Sequence, residues 1–583
     1  MSSWSTTPSA PSPARPAWRL LVVAAVTALA VAIGVAAASF IATSRAAAVG
    51  AGASYVPATA PLYVEVRIEP SAPQDEDLRE LLGRFPPIEG VDLDRPLFDQ
   101  LSELLDEVLA DEGQSVRWSE DVAPWIDGSL AFALLELPAT AFDPGADPMA
   151  LPEDVPSMVF LVGVSDPEAA RTSVERLIGE IGGEAMSFAT RDHGGVTIHV
   201  GEGDLAAYAI TEDQLLFAAT ADDIASALDA RAGGSTLSEG SDMAGLVAAL
   251  PDDWLAFGVF DFTDAMTAAL EASGDDARAT SDALSDILEH QSMRSAFAVT
   301  ARGDGLAFDS VAEPPTGPFS VENAERGLAG EVPGDALYYA EGGSIGPALA
   351  AVIGTIKEAA GAQPEAAEAL ATAEAALGAE LEELVAWIDD GALSIGWDGT
   401  EPYGGMVLVP SDVDAAERRF DQLATFAGLA SLDPSSGISL EEAESSGVVV
   451  TTIRWNDPAM TTLPTGEAPS LALQYALTDE RVIIGIGDAF VGRALDLDPA
   501  DALAAQARYA DAVEDLGGPS STGIGWMDIA GTVAAVEQAL GPMLDDGPYR
   551  AEIRPWLDPF DRFVSVARIE GDVLAQRSVL LVR

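Results

Sequence analysis

The sequence predicts an α+β protein in which an N-terminal transmembrane helix is followed by two tandem homologous copies of an antiparallel-sheet-plus-helices unit. Three observations support this fold class. An uncharged apolar run lies near the N-terminus, a set of segments recurs in the same order, and short apolar strands alternate with amphipathic helices across brief polar turns.

The composition is that of an acidic chain with enough apolar residues to fold. Of 583 residues, 95 are Asp or Glu and 29 are Lys or Arg, so the formal net charge is −66, while 48% are hydrophobic. That apolar fraction argues against a wholly disordered chain, and the acidity argues against nucleic acid as a partner, because carboxylates repel phosphates. The sequence contains no Cys, which excludes disulfides, thiolate metal sites and cysteine nucleophiles.

The N-terminal segment predicts a membrane anchor. Residues 1–19 predict a disordered cytoplasmic tail, residues 20–43 a transmembrane helix, and residues 44–54 a flexible tether. Leu20–Thr43 is uncharged over 24 residues, which corresponds to ~36 Å of helix. Because no Asp or Glu precedes Glu65, we expect a single-pass protein of the cell membrane with a cytoplasmic N-terminus and an acidic extracytoplasmic ectodomain. A cleaved signal peptide is the alternative, since short alanine runs lie within and after the apolar segment.

An internal duplication organises the rest of the chain. The recurring segments are 121–134 with 383–396, 165–177 with 411–423, 206–218 with 473–485, 259–272 with 526–539, and 303–311 with 571–579. Matched positions lie 246 to 268 residues apart, a range too narrow for ordered chance matches. They align Trp125 with Trp387 and Tyr208 with Tyr475. We therefore predict copy 1 over residues 55–314, a linker over 315–330, and copy 2 over 331–583.

Each copy opens with an aromatic strand and then alternates strands with helices. In copy 1 the patterns predict strands near Ser129–Leu137, Met158–Val164, Val196–Val200, Ala206–Ile210, Gln214–Ala219 and Trp254–Asp261, followed by two closing strands. They predict helices at Leu97–Leu109, Asp166–Ile181, Ala221–Arg231 and Phe262–Ala272, and in copy 2 at Ile345–Ala360 and Glu365–Leu377. Short polar turns favour antiparallel pairing of the strands.

The membrane segment, the tether and three sequence patterns together carry a family resemblance. The opening P-A-x-x-P-L-Y-V-E-V at Pro57–Val66, F-D-Q-L at residues 98–101 and P-W-I-D-G at residues 124–128 resemble the bacterial domain-of-unknown-function family 3352. The resemblance extends over most of residues 55–583 and rests on diffuse patterns. It implies a membrane-anchored protein that faces the cell envelope, and it supplies no catalytic residues.

The histidines do not support a catalytic or metal site. Gly342–Gly346 matches the G-x-S-x-G nucleophile elbow, but that triad needs a His after the Ser, and His193, His199 and His290 all precede Ser344. His193 and His199 lie six residues apart in one predicted strand region, ~20 Å when extended, which is too far for one metal ion. We therefore predict a strand-to-helix turn at Gly342–Gly346 and structural roles for the histidines.

Two glycine-rich phosphate motifs also fail. The segment at 485–492 (GIGDAFVG) follows a predicted strand and precedes a predicted helix, but its glycine spacing departs from the dinucleotide motif. Packing explains it better. A P-loop needs a Lys after its second Gly, and Lys357 does not stand in that context.

The acidic clusters and the aligned tryptophans have plainer explanations. Asp143 with Asp147, and Asp496 with Asp498 and Asp501, present oxygens suited to calcium, but neither follows the EF-hand spacing. We expect a solvated acidic surface there. Trp125 and Trp387 lie in apolar stretches, which favours core positions over an exposed glycan or partner site.

These observations leave two function classes. The first is a non-enzymatic, membrane-anchored module of the bacterial envelope that binds a ligand or partner protein, or acts as a structural spacer. The second is an extracytoplasmic hydrolase that uses Asp or Glu carboxylates, whose pairing in space the sequence does not reveal. We predict no catalytic, cofactor-binding or metal-ligating residues and no cofactor. The expected partners are the membrane and an envelope protein or ligand, with no nucleic acid.

Overall fold

The computed structural model describes most of the predicted ectodomain. It covers residues 50–583 except 89, 112–114, 137–156, 183–187, 202–205, 240, 264–265, 268–284, 286, 362, 456–470 and 545–547. The predicted tail, transmembrane helix and first part of the tether lie outside the described residues. Within the described part of the chain, no helix is long and apolar enough to cross a membrane.

The first half of the described chain contributes ten strands to an antiparallel sheet. They are β1 (Leu62–Arg67), β2 (Ile126–Glu136), β3 (Ser157–Val164), β4 (Phe188–His193), β5 (Val196–Gly201), β6 (Ala207–Ile210), β7 (Gln214–Ala218), β8 (Ala256–Asp261), β9 (Arg294–Arg302) and β10 (Gly305–Ala312). Their spatial order is β4-β5-β6-β7-β3-β2-β1-β8-β9-β10.

The second half contributes ten strands to the same sheet. After the short β11 (Ala324–Glu325) they are β12 (Ala336–Gly342), β13 (Ile388–Trp397), β14 (Pro402–Pro410), β15 (Ile438–Ser445), β16 (Val448–Trp455), β17 (Leu471–Leu477), β18 (Val482–Ile486), β20 (Gly523–Asp528), β21 (Phe560–Glu570) and β22 (Val573–Val582), with β19 (Ser520–Ser521) pairing with β11. Their order is β15-β16-β17-β18-β14-β13-β12-β20-β21-β22.

One strand pair joins the two halves. β10 pairs antiparallel with β22 from Gly305↔Leu581 to Ala312↔Leu574, so the described residues form a continuous 20-stranded sheet. Starting from this joint, both halves run through their strands in the same connectivity. The predicted α+β class with antiparallel pairing is confirmed.

Helices pack on both faces of the sheet. They are α1 (Ala72–Leu82), α2 (Leu97–Asp111), α3 (Pro167–Gly182), α4 (Ala221–Gly233), α5 (Ser241–Val247), α6 (Ile345–Gly361), α7 (Pro364–Leu377), α8 (Val413–Ala430), α9 (Phe490–Leu495), α10 (Ala507–Asp515), α11 (Ile529–Leu544) and α12 (Arg554–Leu557). We call the face on which Tyr63 and Tyr339 project the core face, since it is buried under α4 and α5 in one half and α9 and α10 in the other. The opposite face, on which Val64 and Ala340 project, is the outer face; α3 and α8 cover part of it.

Most elements predicted for the first half agree with the structure, but α1, α5 and β4 were not predicted. The helix expected at Asp166–Ile181 is α3, and the hairpin expected at Ala206–Ala219 is β6–β7. Edge strand β4 was missed because its mostly exposed side chains show no apolar alternation. Helix α1 was missed because it is charged and short, although Ser71 caps it by accepting the backbone N–H of Gln74.

The segment before β1 is ordered. Residues 51–55, which the sequence places at the end of a flexible tether and the start of copy 1, form a 3-10 helix with Ala53 and Tyr55 buried. The predicted helix at Phe262–Ala272 lies largely outside the described residues.

Candidate functional site

A buried tyrosine–glutamate pair lies on an interior strand of each half, β1 in the first and β12 in the second. On β1, Tyr63 donates a hydrogen bond of 2.6 Å from Oη to Glu65 Oε2, and on β12 Tyr339 donates one of 2.5 Å to Glu341 Oε2. Alternate residues of a strand share a face, so each pair projects together into the core. Glu65 is 2% exposed and Glu341 is 5% exposed.

Each carboxyl is sealed by the chain segment that precedes its strand. A side-chain carbon at Gly50 would lie 1.8 Å from Glu65 Oε1, so a larger residue just before the 3-10 helix would have to displace the Glu65 carboxylate. In the second half, the backbone N–H groups of Gly327 and Leu328 donate to Glu341 Oε1 at 3.0 and 3.3 Å. The same position is therefore closed by a close glycine contact in one half and by hydrogen bonds in the other.

These two carboxyl groups have the raised pKa of a general acid, but a substrate could not reach them. Burial raises the pKa of Glu65, although the hydrogen bond from Tyr63 opposes the shift. Burial likewise raises the pKa of Glu341, against the hydrogen bond from Tyr339. A general acid must reach its substrate within hydrogen-bond distance, and both groups are covered. We interpret the pairs as structural.

An open apolar surface lies on the outer face of the second half. Two neighbouring cross-strand rows form it, Met527–Tyr338–Ile395–Gly404–Ile486 and Ala340–Leu393–Met406–Ile484. Its exposed members are Leu393 (40%), Ile395 (45%), Met406 (37%), Ile486 (64%) and Met527 (38%), which we call the second apolar strip. It crosses five strands, about 19 Å at the usual strand spacing.

Helices border this strip without covering it. At one end of β13, Ile345 of α6 packs in a cluster with Leu408 and Val482. At the other end, Trp397 donates a hydrogen bond of 3.1 Å to Gln538 of α11. The exposed side chains of β13 lie between these two contacts.

The first half carries a similar surface at the corresponding strands. Val64, Phe132, Phe160, Phe217 and Tyr208 follow one another across β1, β2, β3, β7 and β6. The ring centroids of Phe132 and Phe160 lie 5.0 Å apart. The exposed members of this surface, Leu130 (37%), Phe160 (49%) and Phe217 (36%), form the first apolar strip.

The two strips lie on the same side of the sheet. Directly paired residues of antiparallel strands project to one face, so a row can be followed through the joint. From Val64 it runs through Gly258, Phe297 and Ser310 to Gln576 of the second half. It continues through Ala567 and Gly523 to Gly342, which shares its face with Ala340.

The structure separates the histidines. His193 lies on β4 and His199 on β5, not on one strand as expected, because an unpredicted hairpin turns between them at Gly194 and Gly195. His193 Nε2 lies 2.7 Å from Asp229 Oδ1, His199 stacks on Tyr208 at 4.5 Å, and His290 Nδ1 lies 3.1 Å from Thr316 Oγ1. Among the described residues, no three His, Asp or Glu side chains group as metal ligands.

The glycine motifs are turns between strands and helices. Ser344, with φ of 57°, links β12 to α6, and the 485–492 segment links β18 to α9. A side-chain carbon at Gly485 would lie 3.0 Å from Val491 Cγ2, so this glycine lets the helix pack on the antiparallel strand. Close packing therefore accounts for the second motif.

The acidic clusters and tryptophans are also placed. Asp143 and Asp147 lie outside the described residues. Asp496 accepts a hydrogen bond from Ser446, and Asp498 caps a short 3-10 helix through the backbone N–H of Ala500 at 2.9 Å. Trp125 is 3% exposed and Trp387 5%, each donating its indole N–H to a backbone carbonyl at 2.7 Å, which fits the expected core positions.

Sequence reasoning missed both the tyrosine–glutamate pairs and the apolar strips. A signal for the pairs was present, because the first strand of each half contains Tyr-x-Glu, at residues 63–65 and 339–341, inside an otherwise apolar strand. A charged side chain at a core position needs a dedicated partner. The strips could not be predicted from local sequence, because an apolar strand face has the same residue pattern whether a helix covers it or it is exposed.

Comparisons with known proteins identify the family to which the chain belongs. No curated protein matches it. A solved structure described as "Structure of crystal form III of TP0453" matches with 9% identity and a TM-score of 0.20, covering 45% of this chain and 94% of that one. A likeness at that TM-score carries no argument. The family model described as "Protein of unknown function (DUF3352)" matches residues 21–563, so the suspected resemblance is confirmed and the protein belongs to this family.

Proposed function

We propose that this protein is a membrane-tethered, extracytoplasmic binding module without catalytic turnover, and that its apolar strips bind an uncharged acyl-chain ligand. The observation that carries the proposal is the second apolar strip, where five large apolar side chains are 37% to 64% exposed on one sheet face. Contiguous exposed apolar surface marks binding sites in soluble domains. A net charge of −66 repels anionic ligands, which favours a neutral one.

The tether and its orientation are part of this proposal. The uncharged run Leu20–Thr43 and the absence of acidic residues before Glu65 support an anchor with the acidic ectodomain outside the cytoplasm. A lipid ligand would then be close to the module that binds it.

We further propose that residues 55–314 and 331–583 are homologous copies of one unit. The recurring segments, the shared strand connectivity and the recurring tyrosine–glutamate pair support this origin. Two strips at corresponding places would then be two versions of one ancestral surface.

Ligand binding is tested with the ectodomain from residue 50 and a neutral acyl-chain fluorophore. We expect saturable enhancement, and about tenfold weaker binding in Met406→Asn, since burying a Met side chain is worth ~1.5–3 kcal/mol. Val91→Asn is the matched control, because Val91 and Met406 are both 37% exposed and Val91 belongs to neither strip. Equal loss in both variants, or no enhancement in the parent, would contradict the proposal.

The hydrolase alternative is tested on the same preparation. The ectodomain is screened against glycan, ester, phosphoester and peptide substrates. Turnover that a single Asp or Glu substitution abolishes would overturn the non-catalytic assignment.

The orientation is tested in intact spheroplasts. We expect externally added protease to digest the ectodomain, because residues 46–583 are proposed to lie outside the membrane. Full protection of the ectodomain until the membrane is lysed would exclude this topology.

A further inference from the structure

The joint between the halves contains one position that faces its own counterpart. The alignment of 303–311 with 571–579 relates residues 268 positions apart. In the β10–β22 pairing, Ala307 faces Val579, whereas its counterpart is Ala575. Asp309 faces Arg577, and Arg577 is its counterpart. If the two halves are related by a pseudo-twofold axis, that axis therefore passes between Asp309 and Arg577.

The surrounding row is arranged about this pair. Outward from Asp309 the paired residues are Ala298, Phe257 and Glu65. Outward from Arg577 they are Val566, Ile524 and Glu341. Each buried glutamate is thus three strands from the joint.

Asp309 and Arg577 occupy corresponding positions in the two halves but carry opposite charges, so this pair is not symmetric. Arg577 Nε lies 2.6 Å from Asp309 Oδ1, and Asp309 is 1% exposed. Two copies of the first half that met through β10 in this register would place Asp309 against Asp309. Two copies of the second half would place Arg577 against Arg577. Two facing Asp309 carboxylates would be buried charges without an opposite partner, which is strongly unfavourable, whereas the Arg577 side chain is 40% exposed and two facing guanidinium groups would only repel each other.

We infer that Asp309 and Arg577 form a pairing code that directs each half to the unlike half and prevents association of like halves from neighbouring chains. The surface concerned is the hydrogen-bonding edge of β10 or β22 before the joint closes, and the partner it fits is the opposite half. Unpaired strand edges are the usual route to wrong association, and charges on them are the usual protection. The inference rests on the proposed duplication and is independent of the proposed ligand.

An ordinary ion pair would stabilise the joint without choosing partners, so the test must separate the two. Charge reversal at either position gives like charges within the chain. Asp309→Arg and Arg577→Asp are each expected to lower the melting temperature of the full-length chain in detergent micelles. The double variant restores opposite charges and is expected to recover more than half of the loss.

Partner choice is read by co-expressing two differently tagged full-length chains. Asp309→Arg co-expressed with Arg577→Asp is expected to co-purify, because exchange of halves between the chains gives two opposite-charge pairs. Two tagged chains that carry the same substitution are not expected to co-purify, because every exchange between them gives like charges. The control is Arg302→Asp with Asp304→Arg, which reverses an ion pair of 2.9 Å inside the β9–β10 turn and is expected to give no co-purification.

Two results would overturn the inference. One is a double variant whose melting temperature is no higher than that of the less stable single variant. The other is co-purification of Asp309→Arg with Arg577→Asp at the same level as either variant co-expressed with itself. Neither result bears on binding of the acyl-chain probe, which is measured separately.

Discussion

At the scale of single residues, the buried carboxyls couple the stability of the fold to pH. Glu65 has its pKa raised from the ordinary 4.5, chiefly by burial. The folded state then favours the protonated form more than the unfolded state does. Its contribution to stability is fully present below the unfolded pKa and is lost as the pH rises through the folded pKa.

This sign predicts the behaviour of Glu65→Gln. The amide resembles the protonated acid and does not ionise, so the variant should gain stability over the parent as the pH rises from 4 to 7. Parallel thermal melts across that range measure the difference. Exposed Glu69, substituted in the same way, should show no comparable gain with pH. A difference that shrinks as the pH rises would show that the sign is wrong.

At the scale of elements, the strand-to-helix turn at β12–α6 depends on close contact rather than chemistry. A side-chain carbon at Gly346 would lie 2.3 Å from the carbonyl oxygen of Ile388 and 2.6 Å from that of Val385. Both are backbone atoms that cannot turn aside. Within the same helix, a carbon at Gly354 meets nothing closer than Glu382 Oε1 at 3.9 Å.

These two glycines predict alanine substitutions of opposite sign. Gly346→Ala is expected to destabilise by ~1–3 kcal/mol, because the backbone must move to admit the methyl group. Gly354→Ala is expected to stabilise by ~0.5–1 kcal/mol through helix propensity. Denaturant unfolding of both variants gives the two free energies. Equal effects would show that the turn does not require glycine.

Elements were predicted well where local patterns define them, and poorly where they do not. Strand β3 and helix α3 match their predicted ranges within a residue or so, because apolar periodicity and a Pro at the helix start are local. The paired strands β10 and β22 are separated by about 268 residues along the chain, and no local pattern in either strand predicts which strand it pairs with. The strips were unpredictable for a related reason, since exposure depends on which helix covers a strand.

At the scale of the whole molecule, charge dominates. If every one of the 29 cationic side chains paired with an acid, 66 carboxylates would remain without a partner. Some cations are shared between two acids, as Lys357 is between Glu374 and Glu382 and Arg508 is between Asp528 and Asp561, but sharing leaves the net charge of −66 unchanged. Repulsion among the remaining carboxylates therefore opposes the folded state.

Salt should relieve that repulsion more than it weakens the ion pairs. The screening length falls from ~10 Å at 0.1 M to ~3 Å at 1 M salt, and exposed ion pairs are worth only ~0–1 kcal/mol each. We expect the melting temperature of the ectodomain to rise from dilute buffer to molar NaCl. The same series in a neutral osmolyte such as sucrose separates screening from general exclusion effects. A melting temperature that falls with NaCl would mean that the ion pairs outweigh the repulsion, and that the excess charge does not limit stability.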